Sequence, residues 1–199
     1  MTRDRLKRNF IWGGLALLVL VPLGVAAASP LQSTRNAAYI VASLAGVGAF
    51  GLLTVQALLS RGHLPDAPVA RQRRWHRVLG VSLLGLVTLH VGGLYLTSPP
   101  DALDALLLVS PTPFSVYGVA AMWATLLTAL LVAARQRLRL SPPLWRALHS
   151  ILAVIIVVAT IVHAVQIEGT MGWWSKLLLC ITAAGSLAWV LWQRHMRRG

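Results

Sequence analysis

Acidic residues are nearly missing from this chain. Five aspartates and glutamates stand against 18 lysines and arginines among 199 residues, and Asp4, Asp66, Asp101, Asp104 and Glu168 all fall outside the long apolar runs. This excludes a carboxylate cage for calcium or magnesium inside those runs. Cysteine is rarer still: Cys180 stands alone in an apolar run, so there is no disulfide, no Cys-x-x-Cys redox motif and no Cys-x-x-Cys-His attachment site. Charge of either sign is scarce at 12%, against 57% hydrophobic residues and a mean hydropathy of +0.71. Those values exclude an ordinary soluble domain.

What fills the chain is six apolar segments of spanning length, roughly Phe10 to Ala28, Ala37 to Leu59, Val78 to Leu96, Phe114 to Ala134, Leu144 to Ile167 and Trp173 to Trp192. In a bilayer each must be helical, because no water is there to satisfy open backbone groups. The connections are short, so the expected architecture is all-α, one six-helix membrane domain over residues 1–199. The basic head and the small residues Ala26, Ala27, Ala28 and Ser29 imitate a cleavable signal, but the apolar stretch exceeds a usual signal core. An uncleaved first helix is expected.

A net charge of +13 could point to nucleic acid, yet the cations sit in clusters between apolar runs. All 18 but Arg35 and Lys176 fall at the N-terminus, in the second and fourth connections with the helix starts that follow them, or at the C-terminus. Membrane orientation explains this pattern, and the positive-inside rule puts both termini in the cytoplasm, with no nucleic-acid partner.

Four histidines stand out against this background. His76 and His90 are 14 residues apart, and so are His149 and His163. Fourteen residues span about 21 Å of helix and end about 40° short of four full turns, so each pair shares one face. The third and fifth spans run the same way, outward from the cytoplasm. His76 and His149 therefore lie near the cytoplasmic face, and His90 and His163 near the outer one.

An intramembrane histidine is costly to leave unpaired, and four at matched depths on parallel helices point to a metal cofactor. Zinc asks for four tetrahedral ligands, and membrane di-iron clusters ask for histidines three or four apart; neither pattern occurs. Two imidazoles per level suit b-type haem, which fills four iron positions itself and needs only axial ligands. The expected pairs are His76 with His149 for an inner haem and His90 with His163 for an outer one, both non-covalent. Arg73, Arg74, Arg77 and Arg146 border the inner site and could meet the propionates, although a topology signal is their ordinary role. Gly80 and Ala153, one turn past the inner ligands, are compatible with a flat macrocycle or with close helix packing.

The stretch Arg74-Trp75-His76-Arg77 through His90, followed after one helix by Trp145-Arg146-Ala147-Leu148-His149 through His163, resembles the ferric-reductase-like transmembrane domain. That family includes ferric reductases, NADPH oxidases and the haem subunit of the bacterial methionine-sulfoxide reductase system. The resemblance implies electron transfer from a cytoplasmic flavin to an outer acceptor such as a ferric chelate, oxygen or a periplasmic reductase. Many members continue into a flavin and nicotinamide domain, whereas this chain stops at Gly199. Flavin is therefore expected on a partner, a flavoprotein or NAD(P)H-dependent reductase, with this chain as the electron-transfer subunit. The short methionine-sulfoxide subunit lacks the histidine that stands here as His76. A multi-pass place in a bacterial inner membrane is expected.

Two other classes stay open: a proton or metal transporter built on intramembrane histidines, and a quinol-dependent cytochrome b. A passive scaffold would leave the equal spacings unexplained. Gly46-Val47-Gly48-Ala49-Phe50-Gly51 matches a dinucleotide fingerprint, but it lies in an apolar helix with no strand before it, so helix packing is expected. Trp75, Trp145, Trp173 and Trp174 read as interfacial belt residues, His63 and His195 as solvated, and Gln56 and Gln166 as cross-helix hydrogen bonders.

Overall fold

A computed structural model describes residues 2–60, 64, 67–169 and 171–196, with side chains withheld at 2–4, 194 and 195. Arg61 and His63 fall outside the described residues, as do the side chains of Arg194 and His195. The described chain is helical without a strand: α1 (Thr2–Ala27), a single 3-10 turn (Pro30–Gln32), α2 (Ala37–Leu59), α3 (Val69–Thr97), α4 (Pro99–Leu106), α5 (Pro113–Ala134), α6 (Pro142–Gln166) and α7 (Trp173–Met196). All but α4 are long and apolar enough to cross a membrane, which makes six spans and a multi-pass membrane protein.

Three boundaries move by more than two residues from the sequence-based expectation, and one helix is added. Helices α1 and α7 carry their polar ends along as helix, α3 starts nine residues before Val78, and the connection between α3 and α5 holds the short α4. The early start of α3 has a local cause. Gln72 is fully buried; its amide donates to the carbonyls of Leu64 (2.8 Å) and Ala67 (2.8 Å) and accepts from the Leu64 N–H (3.2 Å). One side chain thus satisfies the backbone that leads into the helix, and the arginines that follow are good helix formers. His76 consequently lies about two turns inside a formed helix rather than in a loop.

Proline opens α4, α5 and α6, where its fixed φ suits the first turn and its missing N–H costs nothing. The end of α4 is tied by Val109 N–H to Asp104 O (2.9 Å) and Leu108 N–H to Ala105 O (3.0 Å), with Leu108 left-handed at φ 62°. This is the hydrogen-bond pattern of a glycine-type helix stop, here on a leucine. Hydroxyls inside the spans return to the carbonyl one turn back, as Thr125 does to Ala121 (2.8 Å) and Thr128 to Ala124 (2.7 Å).

The chain forms two compact units. One comprises residues up to Gly93 with those from Gly169 onward, and the other Leu94–Glu168. In the first, α2 is the central helix, packed on α1 and α7 and facing α3. The C-terminal end of α2 is closed by Val55, Leu59 and Leu64 under Trp12, Leu15, Val19, Trp75 and Leu79, with the Trp12 and Trp75 rings edge to face at 5.3 Å. The second unit is the hairpin of α5 and α6, with α4 against α5.

Candidate functional site

All four histidines are helical and partly buried, two in each unit. In the first unit His76 Nδ1 lies 3.0 Å from the carbonyl oxygen of Gln56 and His90 Nδ1 lies 2.8 Å from that of Ala42, both on α2. In the second, His163 Nδ1 lies 2.7 Å from the carbonyl oxygen of Phe114 on α5. A carbonyl only accepts, so the proton of each of these imidazoles belongs on Nδ1. Nε2 is then the nitrogen with a lone pair, the form in which histidine binds a metal.

The register explains why both rings of α3 find a carbonyl. Residues 42 and 56 are 14 apart, as are 76 and 90, and α2 and α3 run antiparallel, so one alignment serves both contacts. At His76 the link is double: the Gln56 side chain donates from Nε2 to the backbone oxygen of His76 at 2.9 Å. The expectation that Gln56 bonds across helices therefore holds, and Gly80 leaves its space to that amide, since a Cβ there would meet Gln56 Nε2 at 3.0 Å.

At His90 and at His163 glycine makes the approach possible. A helical carbonyl is flanked by the residue four positions on, and here those residues are Gly46 and Gly118. A Cβ on Gly46 would lie 2.9 Å from His90 Nδ1, and one on Gly118 would lie 2.7 Å from His163 Nδ1. Gly93 adds to the closeness, since its Cβ would lie 2.7 Å from that of Ala42. Gly46 opens the apparent dinucleotide fingerprint; its use is to seat an imidazole, while Gly51 of the same motif meets Val19 of α1.

Sequence reasoning missed both seats, although a signal existed. The pairs 42/46 and 114/118 are offset by 72 residues and the histidines by 73, so the two helical hairpins repeat one design.

At His149 the orienting contact is a ring. Trp145, one turn earlier on α6, stacks on the imidazole with centroids 5.2 Å apart and planes 14° apart, and the guanidinium of Arg135 lies 4.4 Å from the centre of the indole. The interfacial-belt reading of Trp145 gives way to this stack, whereas Trp173 and Trp174 are exposed, as belt residues are. Arg74 and Arg77 are exposed on α3 and line a shallow cavity of about 480 Å³ with Val78, Val81 and Ser82. Arg146 is exposed on α6, and Gln166 is exposed at its C-terminal end.

A family model described as the ferric reductase-like transmembrane component matches residues 45–160, more than half of the chain. The chain belongs to that family. The matched region includes His76, His90 and His149, the seats Gly46 and Gly118, and the stack on Trp145, and it ends three residues before His163. No curated protein and no solved structure matches the chain. A ferric reductase-like domain suggests a membrane electron-transfer component, and such domains generally bind haem and pair with a reductase.

The residues present fit that group. Haem brings its own equatorial ligands and asks the protein for imidazole nitrogens alone. Three of the four already hold Nε2 as the donor.

Proposed function

We propose that this ferric reductase-like component is a two-haem b-type cytochrome. It takes electrons from a separate cytoplasmic flavoprotein or NAD(P)H-dependent reductase and delivers them to an acceptor at the outer face. The observation that carries this reading is the locking of His76, His90 and His163 with the proton on Nδ1 and the lone pair on Nε2.

His76 and His149 would hold the inner haem, and His90 and His163 the outer one. This pairing is supported by the equal 14-residue spacing of the histidines on α3 and on α6. Haem supplies one-electron exchange when bound. The chain's own residues do the rest. The carbonyls of Gln56, Ala42 and Phe114 hold the rings and raise the basicity of the ligating nitrogens. Arg74, Arg77 and Arg146 neutralise the propionates of the inner haem at the cytoplasmic side, where the basic connections also put both termini. The apolar helix walls keep water from the ligands. The membrane is a bacterial inner membrane, and the outer acceptor is a ferric chelate, oxygen or a periplasmic reductase.

A reduced-minus-oxidised spectrum of the purified chain, with haem counted, tests this. Two b-type haems per chain are expected, reducible by a flavoprotein. A chain expressed with ample haem that shows no b-type signal ends the reading. Metal flux into liposomes carried by the haem-free protein would favour a transporter instead, and reduction by quinol alone a quinol-dependent cytochrome.

A further inference from the structure

Trp145 occupies a place that burial of its ring alone does not explain. Its Nε1 is buried and has no hydrogen-bond partner among the described residues. A tryptophan at a membrane interface ordinarily turns that N–H to water or headgroups, because an indole donor removed from water without an acceptor is costly. The edge of the ring is therefore not what holds it here. Its faces are occupied by specific groups: the imidazole of His149, nearly parallel at 14° and 5.2 Å between centroids, and the Arg135 guanidinium 4.4 Å from the ring centre.

Both contacts follow from local sequence. Trp145 and His149 are four apart on α6, so their side chains lie one above the other on one face. Trp145 belongs to the first turn, its backbone N–H bonded to Ser141 O at 2.9 Å, which places it beside the short α5–α6 connection. Arg135 is the C-cap of α5 and opens that connection. The connection turns back sharply, with Arg139 left-handed at φ 46°, and brings the end of α5 to the start of α6.

We propose that Trp145 is a positioning residue for His149, and that Arg135 acts through it as a fixed cation beside the inner ligand. The inference rests on His149 being an inner-haem ligand. His76, His90 and His163 each meet a carbonyl on a neighbouring helix, and the imidazole of His149 is stacked by a ring on its own helix. The stack limits rotation of the imidazole, and would fix its plane when haem is bound. The guanidinium draws on the indole face as a cation does over an aromatic ring and adds positive charge near the iron. Positive charge favours the reduced state, which carries one charge less, so the inner haem is held at a higher potential than the same ligands would give alone.

The test is a redox titration with low-spin electron paramagnetic resonance on the purified full-length haem protein. The inner haem is identified as the wave lost in His149→Ala. In Arg135→Gln, a change at an exposed side chain, the inner potential falls and the outer potential stays; Arg135→Lys restores much of the difference. In Trp145→Ala the inner signal broadens as the ring plane spreads, and Trp145→Phe, which keeps a stacking ring without the N–H, stays near the wild type. Two outcomes overturn the inference while leaving haem binding intact. One is an inner potential unmoved by Arg135→Gln. The other is a Trp145→Phe variant as altered as Trp145→Ala, which would assign the role to the N–H. A wild-type chain without haem ends the cytochrome reading and this inference together.

Discussion

Gly118 stands where a single added carbon would lie 2.7 Å from both Nδ1 and Cε1 of His163. No ordinary side-chain contact is that short, so the absence of a Cβ is the condition for the imidazole to reach the Phe114 carbonyl. Gly46 bears the same relation to His90, at 2.9 and 3.0 Å. Gly118→Ala and Gly46→Ala should each displace the ring from its carbonyl. Overpacking of this kind costs about 1–3 kcal/mol. The expected result is loss or weakening of the outer haem with the inner one kept, read from haem content and low-spin resonance. Full content with an unchanged outer signal in both variants would show that the seats are not needed.

The pairing of ligands across helices predicts a pattern of losses. His76→Ala and His149→Ala should each lower haem from two per chain to one and remove the same redox wave. His90→Ala and His163→Ala should remove the other. If His76→Ala and His149→Ala remove different waves, the proposed pairs are wrong.

Gln56 predicts an order of stabilities. Its Nε2 donates to the His76 carbonyl, while its buried Oε1 has no partner among the described residues. Gln56→Leu loses one cross-helix hydrogen bond, worth about 0.6 kcal/mol in membrane helices, and also removes the unpaired acceptor. The net effect should stay within about 1 kcal/mol. Gln56→Glu replaces the donor by an acid that must be buried or protonated, and should be clearly the less stable of the two. Thermal unfolding followed by release of haem gives the order; a glutamate variant as stable as the leucine one would contradict it.

Arg74 and Arg77 share an exposed cavity wall on α3. The double change Arg74→Gln with Arg77→Gln should lower the inner haem potential or its occupancy and leave the outer haem alone. Fourteen basic residues would remain on the inner side by the sequence reading, enough to keep the orientation. Equal changes in both haems would argue against a local role.

Orientation itself is open to cysteine labelling, because the native Cys180 is buried and gives little background. Asp104→Cys on α4 should react with an impermeant maleimide from outside, and Gln136→Cys in the α5–α6 connection only after the membrane is opened. The reverse result would invert the proposed topology.

Much of this molecule is legible in the residues alone, and the reason is that the signals are local. Twenty apolar residues in a row meet the membrane's demand wherever their neighbours lie, so the six spans are readable, and α2 runs over Ala37–Leu59 as expected. The same holds for the sorting of cations among connections and for the shared face of two histidines 14 apart, which follows from 3.6 residues per turn. Helix starts are less legible, as at α3, where the buried Gln72 amide carries the helix back beyond the apolar run.

What only the tertiary structure decided is what the second nitrogen or the face of each ring touches. The carbonyl partners of His76, His90 and His163 lie 20, 48 and 49 residues away in sequence. Which carbonyl comes level with which ring depends on the register of two packed helices. That register is set by volumes along both of them, including the missing side chains of Gly46, Gly93 and Gly118. Trp145 illustrates the limit: four residues from His149, its neighbour could be named from spacing, but its loss of water and its meeting with Arg135 required the turn between α5 and α6. Hydrophobicity and periodicity are properties of one helix, and a seat for an imidazole is a property of two.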